Sequence, residues 1–206
     1  MAKPYVIGLT GSIGMGKTET AKLFGKLGVG VYDSDAAVHR LYDKGGTAVA
    51  VVGQLFPHSI VKGAVDRKIL RAHISKHPGD LAKLNAAVHP LIAQDREVFL
   101  KAAENRNAEM VVLDIPLLFE TGAHTQMDTI VVVSAPADIQ RTRVMARPGM
   151  SEALFQSLLQ RQMPDEEKRA KAHFVVATDQ GLDHACDQVR VIIQSIRDKI
   201  YPQVSI

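Results

Sequence analysis

Residues 11–18 read Gly-Ser-Ile-Gly-Met-Gly-Lys-Thr, and they directly follow the apolar run at residues 5–9. This octet fits the pattern G-x-x-x-x-G-K-[ST] of a phosphate-binding loop that comes after a strand. Glycines allow successive backbone N–H groups to approach phosphate oxygens, and the helix that should follow points its positive end at the anion. The sequence therefore predicts a site for a nucleoside triphosphate.

Within this loop we expect contacts to the nucleotide from every residue after the first glycine: Ser12, Ile13, Gly14, Met15, Gly16, Lys17 and Thr18. Lys17 supplies a positive charge for the β- and γ-phosphates, and Thr18 supplies a hydroxyl ligand for Mg²⁺. A glycine-rich turn that precedes Lys-Thr by chance is the alternative, but the whole pattern is rare in a chain of this length. A nucleoside triphosphate and Mg²⁺ are thus the expected ligands, and the family resemblance given below implies that the nucleotide is ATP.

Composition restricts the class of protein. The chain has 206 residues, of which 46% are hydrophobic, so it can form one domain or one domain with an insertion. Its one cysteine, Cys186, cannot form an internal disulfide, which suits a reducing compartment. A net charge of +3 is too small to indicate a nucleic-acid partner, and no apolar stretch suits export or a membrane span. We expect a cytoplasmic monomer or weak homo-oligomer that binds neither nucleic acid nor membrane.

Five short, continuous apolar runs predict strands that are buried on both faces. They lie at residues 5–9, 29–32, 110–113, 129–133 and 174–176. Segments with helical spacing, such as 18–27 and 182–200, separate them. This alternation predicts an α/β fold with a five-stranded, doubly wound parallel sheet flanked by helices.

Two helical regions interrupt this pattern within a single domain of residues 1–206. Roughly 75 residues separate the second strand from the third, and we expect Pro57, Pro78 and Pro90 to divide them into separate helices. The core would be residues 1–45 and 107–206, and residues 46–106 a helical insertion. The second region, at about residues 137–172, holds many arginines, and we call it the arginine-rich region. It is a natural lid over the phosphates, although any single arginine there could equally lie on a solvated face.

Two aspartates, Asp33 and Asp35, follow the second strand. In open α/β sheets this edge faces the ligand, and residues two apart in an extended chain share a face. Such a carboxylate can accept the proton of an attacking hydroxyl, whereas an aspartate here can also cap the next helix. We assign the larger share of the chemistry to Asp33 and the larger share of the capping to Asp35.

The segment after the third strand, residues 114–120, reads Asp-Ile-Pro-Leu-Leu-Phe-Glu. An aspartate at a strand end can hold Mg²⁺ through water. The apolar residues that begin at Leu117 would form a wall beside an acceptor pocket. Glu120 is either a surface residue or an acceptor contact.

Together these motifs closely resemble the dephospho-CoA kinase family. The resemblance rests on residues 9–18, on 33–35 (Asp-Ser-Asp), on 84–90 (Leu-Asn-Ala-Ala-Val-His-Pro), on 116–120 and on 162–164 (Gln-Met-Pro), and it extends over residues 5–195. It implies a phosphate-loop kinase core with a helical substrate-binding insertion and a lid. It also implies transfer of the γ-phosphoryl group of ATP to the 3′-hydroxyl of dephospho-CoA, the last step of coenzyme A synthesis.

The resemblance also assigns roles to individual residues. It implies that Asp33, Lys17 and Arg143 are catalytic and that Arg147 contacts ATP. A basic residue among Lys68 and Arg71 would pair with the pyrophosphate of the acceptor, dephospho-CoA. The other expected acceptor contacts are Asp35, His89, Leu117 and Glu120.

One segment departs from the family, which commonly has Ala-Asp-x-Val-Ile followed by Asp-Asn where this chain has Ala-His-Phe-Val-Val-Ala-Thr at residues 172–178. Any adenine contacts there are therefore expected from the backbone near residues 178–181. A nucleoside monophosphate kinase is the nearest alternative, but the long insertion and apolar wall suit a bulkier acceptor. A GTPase-like switch is disfavoured because the Asn-Lys-x-Asp motif is absent from the sequence.

Overall fold

A five-stranded sheet organises the larger part of the chain in the computed structural model, which describes residues 3–200. Its strands are β1 (Tyr5–Thr10), β2 (Gly30–Asp33), β5 (Met110–Asp114), β6 (Thr129–Ser134) and β7 (Phe174–Ala177). Their order is β2-β5-β1-β6-β7, and β1 runs parallel to both of its neighbours, as β6 does to β7. All five predicted strands are confirmed.

The helices alternate with these strands, as the sequence predicted. They are α1 (Lys17–Lys26), α2 (Ser34–Tyr42), α3 (Ala48–Leu55), α4 (Arg67–Lys76), α5 (Asp80–Asn105), α6 (Ala137–Met145), α7 (Glu152–Leu159), α8 (Asp165–Ala170) and α9 (Leu182–Ile200). Single 3₁₀ turns occur at Pro57–Ser59 and Ala123–Gln126. The arginine-rich region therefore consists of α6, α7 and α8.

The chain divides into two compact units, and the two boundaries fall within β2 and within α5. One unit contains the chain up to Val31 together with the chain from Ala103 onward, and the other is Tyr32–Ala102. The expected domain bounds at residues 1 and 206 lie outside the described residues. The insertion at 46–106 remains a prediction.

The core of the larger unit lies between the sheet and the two helices α1 and α9. The strands β5 and β6 are buried along their whole length, which explains why they read as continuous apolar runs. Side chains with almost no exposed surface fill this core: Ile7, Leu9, Phe24, Val112, Val131, Val133, Val176, Val189 and Ile196. Burial of this apolar surface fixes the end of β1, from which the phosphate-binding loop begins.

The smaller unit has a separate core, formed from α2 to α5 and from a short antiparallel hairpin. The hairpin strands, β3 (Ile60–Val61) and β4 (Ala64–Val65), have two residues each, and the sequence analysis did not predict them. The buried members of this core are Leu41, Tyr42, Ala48, Val52, Phe56, Val65, Leu70, Leu84 and Val88.

The expected helix boundary at Pro90 is wrong, because this residue lies inside α5. Proline cannot donate to the carbonyl group four residues earlier, which belongs to Ala86. Both Pro90 and Ala86 are exposed, so this carbonyl can bond to water instead. Pro57 and Pro78 do lie between helices, as predicted.

Between residues 3 and 200, no helix is both long enough and apolar enough to cross a membrane. In the same part of the chain, no group of three or more His, Cys, Asp and Glu side chains is arranged to hold a metal ion.

Candidate active site

The phosphate-binding loop has the backbone geometry that its glycines allow. Gly14 has φ of +80° and Gly16 has φ of +95°, in the left-handed region that other residues rarely adopt. A Cβ atom at Gly14 would lie 2.5 Å from Cγ2 of Val144, and one at Gly16 would lie 3.1 Å from Oγ1 of Thr178. Both glycines are therefore favoured by conformation, and at Gly14 a side chain would also overlap its neighbour.

The loop ends at the N-terminus of α1. Gly16 is the N-cap residue and, among the described residues, no side chain caps this helix end. The first-turn N–H groups of a helix are donors without intrahelical acceptors, and the helix dipole adds positive potential there. Thr18 lies in this first turn with an exposed side chain. The geometry suits a bound phosphate group.

Lys17 is positioned by a carboxylate at the end of a neighbouring strand. Its ammonium group forms a short salt bridge with Asp114, the last residue of β5. Asp114 is 3% exposed, and β5 pairs with β1 in parallel register. The ammonium group of Lys17, which we expect to bind the phosphates, is therefore held at the carboxyl end of the sheet, beside the loop.

Thr178 connects the loop to the arginine-rich region, and the sequence analysis did not single out its side chain. Its hydroxyl donates to the carbonyl oxygen of Met15 over 2.7 Å. Arg143 donates to this hydroxyl over 2.8 Å and to the carbonyl oxygen of Thr178 over 2.6 Å. The position follows β7 at the point where the sequence departs from the family pattern, and that departure was the available signal.

Two glutamines also contact the loop. The side chain of Gln140 in α6 donates to the carbonyl oxygen of Ile13, and that of Gln162 accepts from the N–H of Ile13. Gln140 is 6% exposed. The sequence analysis quoted Gln162 as part of a family motif, but it assigned neither glutamine to the site.

Glu120 forms an ion pair with a buried lysine. Its Oε1 atom lies 2.9 Å from Nζ of Lys168, whose side chain is fully buried, in a charge contact rather than an aligned hydrogen bond. The same oxygen accepts the N–H of Met163 over 2.7 Å. Burial alone would raise the pKa of Glu120, but Lys168 and the N–H of Met163 outweigh it and lower that pKa. One oxygen of this residue is thus committed within the protein.

Arg147 and Leu117 are exposed, whereas the predicted loop residues Ser12 and Met15 are buried. Arg147 follows the end of α6, and Leu117 lies in the turn after β5 with 39% of its surface exposed. Leu118 and Phe119, by contrast, are buried. Only the first leucine of the expected apolar wall therefore presents a surface to a ligand.

In the smaller unit, the structure corrects the capping role assigned to Asp35. Asp33 is the N-cap of α2 and its Oδ1 atom accepts the N–H of Ala36 over 2.9 Å, whereas Asp35 lies in the first turn. The expectation that Asp35 has the larger share of the capping is wrong, because the helix begins at Ser34 rather than near Ala36. Both carboxylates are exposed.

The basic residues of α4 line a cavity within the smaller unit. Its volume is about 590 Å³, and its charged lining consists of Arg67, Lys68 and Arg71. His89 lies in α5 with an exposed side chain. Three cationic side chains around one cavity can bind an anionic group.

The fold and the glycine loop define a phosphate-loop kinase. The family model for dephospho-CoA kinase matches residues 5–184, so the chain belongs to the dephospho-CoA kinase family.

Individual relatives agree with this assignment. A dephospho-CoA kinase of Cereibacter sphaeroides is 50% identical over 196 residues, which cover 95% of this chain and 98% of the relative. The enzyme of Mesorhizobium japonicum is 49% identical over 192 residues, with 93% and 96% covered. The solved structure of TT1252 from Thermus thermophilus has a TM-score of 0.82 and 32% identity, and it covers 95% of this chain and 98% of its own. A dephospho-CoA kinase from Campylobacter jejuni, at 21% identity and a TM-score of 0.65 with 95% and 98% covered, shares the fold.

Proposed function

We propose that this protein transfers the γ-phosphoryl group of ATP to the 3′-hydroxyl of dephospho-CoA and releases ADP and coenzyme A. The observation that carries the proposal is the identity of about half of all residues over almost the full length of named dephospho-CoA kinases. The loop geometry supports the use of ATP. A cytoplasmic location and a monomeric or weakly associated state belong to the same proposal, as do an insertion at 46–106 and a lid at 137–172.

The reaction is a direct in-line transfer. A bond forms between the 3′-oxygen and the γ-phosphorus while the bond from that phosphorus to the bridging oxygen of ADP breaks. Lys17, Arg143 and Arg147 neutralise the negative charge on the transferred group, and the loop from Ser12 to Thr18 fixes the triphosphate by its N–H groups. Catalysis then arises from positioning and electrostatics, without a covalent enzyme intermediate.

Asp33 is the proposed base. It accepts the proton of the 3′-hydroxyl as the oxygen attacks phosphorus. Its exposure supports this role, and the cap to Ala36 uses Oδ1, so Oδ2 is the oxygen that we assign to the proton. The contacts proposed for Asp35 and for His89 are on the acceptor side.

Mg²⁺ fits the donor set that the first turn of α1 offers. Thr18 places an exposed hydroxyl at the N-terminus of this helix, where the phosphate oxygens of the nucleotide would supply further ligands. Mg²⁺ prefers oxygen ligands of this kind, from hydroxyl groups, phosphates and water. When bound, Mg²⁺ would neutralise charge on the β- and γ-phosphates.

The acceptor is itself polyanionic. We assign its pyrophosphate to the cavity that Arg71 and Lys68 line in the smaller unit. Leu117 supplies apolar surface on the acceptor side. An acceptor contact from Glu120 would use Oε2, because Oε1 is committed to Lys168 and Met163.

A coupled assay of ADP release tests the function. The purified protein is incubated with ATP and Mg²⁺ and with dephospho-CoA, with adenosine monophosphate or with no acceptor. The product is identified by mass spectrometry. We expect release only with dephospho-CoA, and coenzyme A as the product. ADP release with adenosine monophosphate and not with dephospho-CoA would show that the proposed acceptor is wrong. No ADP release with either compound would overturn the proposed function.

Two lysines of α1 provide a matched pair of variants for this assay. Lys17→Met removes the charge proposed for the phosphates, and we expect activity to fall at least about 100-fold. Lys22→Met removes an exposed lysine that pairs with Glu19 on the same helix, and it should leave activity unchanged.

A further inference from the structure

Glutamine side chains bind both backbone polar groups of Ile13. Its N–H lies 3.1 Å from Oε1 of Gln162, and its carbonyl oxygen lies 2.7 Å from Nε2 of Gln140. Because a backbone N–H can only donate and a carbonyl can only accept, the two side chains act in opposite senses. Gln140 is the donor and Gln162 is the acceptor.

These two glutamines come from different segments of the arginine-rich region. Gln140 lies in the middle of α6, while Gln162 lies between α7 and α8. Next to Gln162, the N–H of Met163 donates to Glu120, which is fixed in turn by the fully buried Lys168. The backbone beside Gln162 is therefore anchored independently of the loop.

We propose that Gln140 and Gln162 are positioning residues that order the phosphate-binding loop for the triphosphate, and that Glu120 sets Gln162 in place. The inference rests on the proposed function, since it assumes that the loop binds ATP. Glycine-rich backbone loses much conformational entropy when it is ordered. A loop already held at Ile13 loses less of that entropy on binding, so it binds nucleotide more tightly.

Glutamate substitutions test the sense of each hydrogen bond. Gln162→Glu keeps an acceptor for the N–H of Ile13, whereas Gln140→Glu sets a second acceptor against the carbonyl oxygen. Both variants add one negative charge beside the backbone of the same residue, Ile13, so their comparison separates hydrogen bonding from charge. By isothermal titration calorimetry, we expect the Kd for ADP to be about tenfold higher for Gln140→Glu than for Gln162→Glu.

Methionine substitutions give a second test if a charged variant fails to fold. Gln140→Met and Gln162→Met keep the bulk and add no charge. Each should raise the KM for ATP about three- to tenfold, while kcat at saturating ATP stays within about twofold of the wild type. Gln156→Met, at an exposed glutamine of α7 that donates to Glu152, is the control and should change neither constant.

Wild-type protein that fails to bind ADP would overturn the proposed function and this inference together. If the wild type binds ADP and the two glutamate variants have equal Kd values, the inference alone is overturned. Methionine variants that lower kcat without raising the KM for ATP would likewise contradict a positioning role.

Discussion

Arg143 donates two hydrogen bonds to Thr178, one to the hydroxyl over 2.8 Å and one to the carbonyl oxygen over 2.6 Å. The same hydroxyl donates to the carbonyl oxygen of Met15. One side-chain oxygen thus accepts from α6 and donates to the phosphate-binding loop. The direction of the Arg143 guanidinium is set by a residue that also contacts the loop.

Removing this hydroxyl should weaken both stability and nucleotide use. Thr178→Val keeps the shape of the side chain but takes a buried partner from Met15 and from Arg143. We expect unfolding in urea to show a loss of about 1–3 kcal/mol, and kcat/KM for ATP to fall about tenfold. Thr178→Ser keeps the hydroxyl and should stay within about threefold of the wild type. Equal kcat/KM for the valine variant and the wild type would show that the link has no role in catalysis.

The two roles of Asp33 can be separated, because asparagine caps helices about as well as aspartate does. Asp33→Asn should therefore retain α2 while kcat falls at least about 100-fold, with the Kd for ATP within about twofold of the wild type. Rapid-quench kinetics and calorimetry measure the two effects. Asp35→Asn, two residues along, is the comparison for a nearby loss of charge. Near-normal turnover in Asp33→Asn would exclude this residue as the base.

Gly14 and Gly28 form a matched pair, since their φ angles are +80° and +86°. Alanine in this conformation costs about 1–2 kcal/mol at either position. A Cβ atom at Gly28 meets no atom within 4 Å, whereas one at Gly14 overlaps Val144 in α6. We expect Gly14→Ala to lower the free energy of unfolding by about 1–3 kcal/mol more than Gly28→Ala. Gly14→Ala should also weaken ADP binding. If the two variants lower the free energy of unfolding equally, the loop has room to shift away from Val144.

The ion pair between Glu120 and Lys168 predicts a dependence of stability on pH. Because the pKa of Glu120 is lower in the folded protein, its contribution is present above the ordinary carboxyl pKa and is lost as the pH falls through the folded value. Thermal melts should show the wild type losing stability from about pH 5 downward. The Glu120→Gln variant should not show the part of this loss of stability that comes from protonation of Glu120.

The same variant should be less stable at neutral pH. Glu120→Gln leaves the fully buried Lys168 without its carboxylate, and we expect a loss of about 2–3 kcal/mol. Replacing both residues, as Glu120→Gln with Lys168→Met, should recover part of that loss because no buried charge remains. A double variant less stable than Glu120→Gln would contradict this account.

Most of the fold was predictable from sequence because its central strands are buried, whereas the edge strands β2 and β7 are partly exposed and the expectation of burial on both faces is wrong for them. β5 and β6 read as continuous apolar runs because they are buried, and α9 was predicted with both of its ends. The hairpin of β3 and β4 was missed, because two-residue strands are too short to show a period. The prediction at Pro90 was wrong because α5 is exposed to solvent there, and this exposure makes a proline inside the helix tolerable. No local sequence pattern reports that exposure.

Those parts of the candidate site that form a continuous sequence motif could be predicted. The loop, Lys17 and Asp33 all follow strands, so their chemistry could be inferred from position. The contacts of Thr178 with Met15 and of Glu120 with Lys168 join residues 163 and 48 positions apart. Such pairs depend on tertiary structure, and no spacing rule along the chain shows them.

The central place of β1 in the sheet has a consequence for biosynthesis. This strand pairs with β5 and β6, and the loop that follows it contacts residues as late as Thr178. A ribosome adds the roughly 160 residues between Thr18 and Thr178 in about 8–32 s. During that interval the nascent chain carries the loop without the side chains that complete it. The nucleotide site is therefore assembled only long after its glycine loop has been translated.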